Sequence, residues 1–519
     1  MTLPATGLLV AALAWGVMSA PASAEVGNPE PAAATETEAS EAATAALDQV
    51  QAILEPTAAD TAAQPGDDSR DLTLALRDLR LHQDDLTSRQ RATAKRLAPT
   101  RPLPDTAPYK DFPGIRVHWS ADDPAITPAW VDEVGGVVTH VLTTYQAAGY
   151  RAPMSDSTLG GGSGLLDIYL VDFANDPRYG GGLYGFCDAA VVPPSSGPYN
   201  TSAYCAFDHN FASFPALSPS NNLKVTAAHE LFHATQFAYD YNEDAWFMEA
   251  TATWAEDEVY DNINDNRQYL PVSPMSQPQQ PLDQFGDSFR QYGEWIFFRY
   301  LSERFPKAQG ELPVIVRRMW ERADSSRGPR YDKYSIKAVS KELDSLGTDL
   351  RRVYAQFGAA NRQPARHYEE GAHYPKAKAR RSWTFTPRRH DTRWQVEKVN
   401  HLATRTVQVK PSRAMKRWGL RVKVDLPDKR LGVSAIVTTY DKLGRPKSRF
   451  VPVSKRGNGK LQVTFKARKV SRVDVTLSNA GIRYRDCWRG PAANGVQYSC
   501  SGISRDNNRP MRYRITAVR

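Results

Sequence analysis

Ten histidines occur in the 519 residues of this chain, and two of them flank a glutamate in the run Ala227-Ala228-His229-Glu230-Leu231-Phe232-His233-Ala234-Thr235-Gln236-Phe237. No other stretch limits the local fold as strongly. Residues four apart share one face of a helix, so His229 and His233 present their imidazoles one turn apart, a spacing that suits two ligands of one tetrahedral metal ion. Glu230 follows the first imidazole and projects beside such an ion, where it can take a proton from water and return it to a leaving amine. A helix over residues 222–241 is expected. The plainer alternative is a helix face carrying two capped surface histidines.

A catalytic zinc ion takes a third protein ligand and keeps a fourth position open. The continuation HExxHxxGxxH is absent: Gln236 stands at the Gly position and Tyr239 at the third His. Asp240 falls one residue beyond the place where a related pattern puts Asp. Downstream, Trp246-Phe-Met-Glu249-Ala-Thr-Ala-Thr-Trp254-Ala-Glu-Asp places Glu249 twenty residues after His229.

Trp246, Glu249, Ala252 and Trp254 match a W-x-x-E-G-x-A-like segment, with Ala250 in place of the usual Gly. The chain thus resembles the gluzincin-type zincin metalloproteases, and is similar to secreted metalloproteases of high-GC bacteria, over about residues 160–305. The resemblance implies that His229, His233 and Glu249 hold Zn2+ and that Glu230 is the general base. It implies that Tyr292, in Tyr292-Gly293, polarises the scissile carbonyl, with Tyr300 as the second choice. Glu256 competes with Glu249 for the metal, although Glu256-Asp257-Glu258 reads as a solvated acidic turn. Thr253 stands where thermolysin-like enzymes carry an Asp, so Thr253, Glu256 or Asp257 is expected to orient a ligand histidine. His209 is expected near a substrate-binding edge strand, with a Cys187–Cys205 bridge bracing the loop that leads into it.

The texture of the chain divides it. Residues 1–24 read as an export signal, with an apolar run Leu8–Met18 too short to span a bilayer and a small-residue site at Ala22-Ser23-Ala24. Residues 25–70, rich in Ala, Glu and Thr, read as a disordered or partly helical spacer. Residues 71–112 read as one amphipathic helix and a linker, a possible pro-segment, with the helix ending before Pro99. Strands at 165–173 and 203–211 followed by helices at 222–241, 245–263 and 289–305 indicate an α+β fold over 113–365. The resemblance makes this a zincin-like catalytic domain: a mixed sheet, the HExxH helix and a helical C-terminal subdomain. After a basic linker at 366–382, short alternating segments separated by turn residues indicate an all-β sandwich at 383–519.

Charge and cysteine usage bear on location. Residues 366–519 hold 37 Lys and Arg against 10 Asp and Glu, which leaves 29 against 47 for residues 1–365. A field of that sign favours anionic polymers or surfaces of the cell envelope, though a basic surface also serves solubility. Four cysteines form two local pairs, Cys187/Cys205 and Cys487/Cys500, as expected of two disulfides in an exported protein. The leading expectation is a secreted zinc metalloprotease acting on a protein or peptide substrate, in solution or associated with the cell wall. The competing one is a catalytically degenerate zincin-like cell-envelope binding protein.

Overall fold

The computed structural model describes residues 36–55, 72–97, 101–159, 161–179, 181–194, 196–286, 289–328, 330–487 and 496–519. The export signal at 1–24 lies outside the described residues.

A five-stranded mixed sheet organises the first half. Its strands are β1 (Tyr109–Phe112), β2 (Ile115–His118), β3 (Leu166–Val171), β4 (Gly185–Ala189) and β5 (Ala203–Asp208), in the order β1-β2-β3-β5-β4. β2, β3 and β5 run parallel, while β1 and β4 are antiparallel to their neighbours. β4 is therefore an edge strand. One face of the sheet packs on α4 (Pro128–Ala147) and α5 (Pro219–Phe237). Thr127 caps the first of these through Trp130 N, and Ser218 caps the second through Asn221 N. Gly135 of α4 lies against the Phe112 ring, where a Cβ would stand 2.3 Å from ring atoms, so this glycine lets β1 close on the helix.

The other face of the sheet is covered by α1 (Glu36–Leu54), α2 (Leu72–Leu81) and α3 (Ser88–Leu97). Ala43, Leu47, Val50 and Leu54 of α1 pack with Leu72, Leu76 and Leu79 of α2 on Tyr169, Val171, Phe186 and Tyr204. One expectation is narrowed here and one corrected. Residues 36–54, within the spacer read as disordered or partly helical, form a helix because small and branched apolar residues recur every three or four positions and find a sheet to cover. The amphipathic run after residue 71 is two helices rather than one. Thr87 and Gln90 form a capping box, with Gln90 Oε1 accepting from Thr87 N at 2.9 Å and Thr87 Oγ1 from Gln90 N at 3.3 Å. With helices on one side and helices on the other, β3, β4 and β5 are buried throughout.

Helix α6 (Ala245–Val259) packs along α5. The short α7 (Arg290–Gly293) and α8 (Trp295–Arg304) follow, then the small hairpin β6 (Ala308–Gln309) and β7 (Leu312–Pro313). Next come α9 (Val314–Arg322), α10 (Ile336–Ser345) and α11 (Leu350–Ala360).

From residue 381 the chain forms two facing sheets. One has the order β13-β12-β15-β10-β8, built from β8 (Arg381–Phe385), β10 (Ala403–Pro411), β12 (Val433–Asp441), β13 (Pro446–Phe450) and β15 (Val470–Asn479). The other, β14-β11-β18-β9, is built from β9 (Gln395–Val399), β11 (Gly419–Asp425), β14 (Asn458–Thr464) and β18 (Arg509–Val518). Inward residues such as Val407, Val422, Val475 and Ile515 form one apolar core between them. The two halves are joined tightly: Arg362 Nε donates to Asp474 Oδ2 at 2.8 Å, with both side chains buried. Between β15 and β18 come the short paired strands β16 (Tyr484–Arg485) and β17 (Ile503–Ser504), and just before β17 Cys500 reaches back to the first half, where its backbone N–H meets the Asp244 carboxylate at 2.9 Å. Both disulfides are formed. No helix among the described residues is long and apolar enough to cross a membrane.

Candidate metal centre

α5 is buried on nearly every side, which an amphipathic surface helix is not. That burial forces its polar residues to find partners. His229 and His233 turn toward α6, and their Nε2 atoms stand 3.1 Å apart. Glu249, in the second turn of α6, completes the cluster: Oε2 lies 3.1 Å from His229 Nε2, and Oε1 lies 3.5 Å from His233 Nε2. His233 and Glu249 are fully buried and His229 nearly so.

The outward-facing nitrogens decide what this cluster can hold. His229 Nδ1 lies 2.7 Å from Glu256 Oε1, and His233 Nδ1 lies 2.7 Å from Gln236 Oε1. Those acceptors assign the ring hydrogens to Nδ1 and leave the Nε2 lone pairs facing each other and a carboxylate. Gln236 is itself fixed, its Nε2 donating to Met248 O and Thr251 Oγ1. Acceptors that converge in this way need a cation between them. Without a metal, a proton fills that need. Burial works against charge on His229, but its contacts with Glu249 and Glu256 outweigh burial and hold its pKa well above the ordinary value. Burial likewise works to raise Glu249, yet the two histidines bring it down to about 2. The donor set also fits a divalent metal. Two nitrogens bound to one tetrahedral zinc ion stand about 3.3 Å apart, and Glu249 Oε1 is buried without a hydrogen-bond donor.

Glu230, on the sheet side of the cluster, is buried and accepts a hydrogen bond from Thr73 Oγ1 of α2 at 2.9 Å. Burial raises its pKa, against the opposing charge of His229 and His233. Cys187 Sγ lies 3.0 Å from the Glu230 carbonyl oxygen, so the β4–β5 disulfide packs directly on the helix turn that carries the glutamate. Tyr292 is buried with its ring 5.9 Å from that of His229 and stacked on Tyr269 at 5.0 Å. A cavity of about 30 Å³ opens between Tyr184-Gly185 and Val225-Thr226 and reaches His229, Glu230 and Glu256. It has room for a water molecule or two and not for a peptide.

The structure thus brings His229, Glu230, His233, Glu249 and Tyr292 together. Three readings change. Glu256 is not part of a solvated turn; it is buried on α6 two turns after Glu249 and supports His229 from behind. Tyr300 lies away from the cluster, against Phe357 and Tyr368. His209 follows β5, an interior strand, and its Nδ1 lies 2.5 Å from Asp123 Oδ2. The edge strand beside the cluster is β4, with β1 at the far edge, and Cys187 and Cys205 face each other across the β4–β5 pair, so their bridge ties the two ends of the connection that leads into β5. Gln236 was read only as a departure from another motif, although its position three residues after His233 on the same face was a usable signal. Nothing in the sequence pointed to Thr73.

No protein-family model matches the chain, and no curated protein matches it. Among solved structures, the pre-peptidase C-terminal domain of a collagenase from Bacillus anthracis is 8% identical, with a TM-score of 0.15 over 27% of this chain and 95% of that one. The surface-associated copper-binding protein CorA of Methylomicrobium album BG8 is 9% identical, with a TM-score of 0.14 over 26% of this chain and 97% of that one. Likeness at this level carries no argument about either half of the molecule.

Proposed function

We propose that the chain is a zinc-dependent metallopeptidase of the gluzincin type, exported from the cell. The observation that carries this reading is the convergence of His229 Nε2, His233 Nε2 and Glu249, each histidine backed at Nδ1 by a buried acceptor. His229, His233 and Glu249 would hold Zn2+, which when bound supplies Lewis acidity for amide hydrolysis. Glu230 takes the proton of the attacking water and delivers it to the leaving amine. Burial raises its pKa, the direction that strengthens a general base, against the opposing charge of His229 and His233. Tyr292, whose ring lies beside that of His229, would stabilise the oxyanion. The deciding experiment is zinc stoichiometry and peptide cleavage for the wild type and Glu230→Gln. One zinc per chain in both proteins, with cleavage only where Glu230 is kept, supports the reading; equal inertness after α2 has been released from β4 removes the enzyme, and failure to bind zinc removes the site.

The β domain gives a second part to the proposal. On the outer face of its four-stranded sheet, Lys398, Arg421, Lys423, Lys460 and Arg512 are exposed, with Lys423 directly across from Lys460 and from Arg514. This face is suited to an anionic polymer of the cell envelope.

A further inference from the structure

A peptidase of the proposed kind must admit an extended peptide beside its edge strand, and the open side of β4 is occupied. Among the described strands β4 pairs with β5 alone, so its outward backbone groups lie on the side where a substrate main chain would pair. The N–H of Cys187 points that way and donates instead to Thr73 Oγ1 at 2.9 Å. The same hydroxyl donates to Glu230 Oε2 at 2.9 Å. One threonine therefore uses both its donor and its acceptor capacity on the two groups that a bound peptide and its attacking water would need.

Further contacts lock α2 in that place. Arg80 Nη2 meets Asp188 Oδ2 of β4 at 2.8 Å. Arg77 Nη1 donates to Glu243 O at 2.6 Å, bridging α2 to the connection between α5 and α6. Leu74 enters the main core of the first half, while Leu72, Leu76 and Leu79 face the helical layer formed with α1. Thr73 and Leu74 are fully buried. With α2 seated, a cavity of about 30 Å³ reaches His229 and Glu230 among the described residues.

We infer that α2 is an internal plug of the metal cleft, so that the chain in this conformation is a latent form whose site opens only when α2 leaves the edge of β4. This rests on the metallopeptidase reading of the same site. Opening would break two hydrogen bonds through Thr73 and the Arg80–Asp188 pair, and would uncover Tyr169, Phe186 and Tyr204 if the whole helical layer moved.

The test uses the full chain loaded with zinc, with three readouts: binding of a fluorescent peptidyl hydroxamate, hydrogen exchange of the Cys187 amide, and peptide cleavage. Thr73→Val with Arg80→Ala is compared with the wild type, and Arg80→Ala alone serves as a milder variant that removes only the rim ion pair. The expected result is weak hydroxamate binding by the wild type and binding about tenfold tighter or more in the double variant, as for any ligand that selects a rarely populated open state. Cys187 exchange rises in parallel. Tighter hydroxamate binding without cleavage would support the plug and defeat the peptidase reading. Equal hydroxamate binding by wild type and variants would overturn the plug, as would fast Cys187 exchange in a variant that still excludes the probe.

Discussion

Glu256 Oε1 lies 2.7 Å from His229 Nδ1, on the side of the ring opposite Glu249. A carboxylate in that position fixes the imidazole's tautomer and rotation and strengthens Nε2 as a donor to a metal. Glu256→Gln keeps the shape and an accepting oxygen but removes the charge. Zinc affinity, measured by competition with a chelator, is expected to fall about 10- to 100-fold while far-UV circular dichroism is unchanged. An unchanged affinity would show that Glu256 does not act on the metal through His229.

Asp244 precedes α6, five residues before Glu249, and its side chain does not cap the helix. It accepts instead from the Cys500 N–H at 2.9 Å and from Tyr334 Oη at 2.8 Å. Cys500 of the β domain, tied by its disulfide to Cys487, therefore props the start of the helix that carries Glu249. Asp244→Ala strands two buried donors and is expected to cost about 2–4 kcal/mol. Urea unfolding of the zinc-free protein measures that cost. Zinc affinity should fall in the same variant because Glu249 loses its fixed approach; a full loss of stability with intact zinc binding would separate the prop from the site.

Much of the centre could be read before the fold was known, because its key residues sit on two helices where spacing maps directly onto faces. His229, Glu230 and His233 follow from a single turn, and Glu249 from one motif on the next helix. The two-sheet β domain was equally legible, since its strands alternate cleanly between core and solvent, as in Gly419–Asp425. What could not be read depends on contacts between distant segments. Thr73 meets Glu230 across 157 positions, and no local pattern encodes that meeting. Glu256 looked solvated because three acidic residues in a row usually are. Here the helix is enclosed, and Glu256 finds His229 while Asp257 finds Arg299. The helix at 36–54 was left open as partly helical: its alanine-rich composition fixes no helix until an apolar sheet face is there to receive it.

Asp283 links the two halves. Its Oδ2 accepts from Tyr484 Oη at 2.5 Å, Ser499 Oγ at 2.8 Å and Ser499 N at 3.0 Å, and its Oδ1 lies 3.1 Å from His401 Nε2. Burial works to raise its pKa, but His401 and these donors more than offset burial and bring it down to about 2. A carboxylate depressed in the folded state contributes stability that is present above the unfolded value near 4 and is lost as pH falls through about 2. The contribution is about 2 kcal/mol at neutral pH. Asp283→Asn should therefore be less stable than the wild type at pH 7, and the gap should narrow between pH 4 and pH 2. Denaturant titrations at several pH values measure it, and a gap independent of pH would show that the charge of Asp283 contributes nothing.

The basic face of the β domain makes a prediction about salt. Arg421 and Lys423 alternate outward along β11, with Lys460 on β14 on one side and Arg512 and Arg514 on β18 on the other. Two of these are partly neutralised, since Arg512 meets Asp425 at 3.1 Å and Arg514 pairs with Asp391. Arg421, Lys423 and Lys460 remain the stronger sources of outward field. Exposed charges of this kind are screened over about 8 Å at physiological ionic strength. The full chain should bind an anionic wall polymer at low salt and release it as salt rises. Arg421→Glu with Lys423→Glu should weaken retention about tenfold or more at low salt, because the double change reverses two charges at the middle of the face. Any zinc content should not change, since this sheet contributes no residue to the His229–His233–Glu249 cluster. Retention that ignores both salt and the double substitution would assign the excess of Lys and Arg to solubility alone.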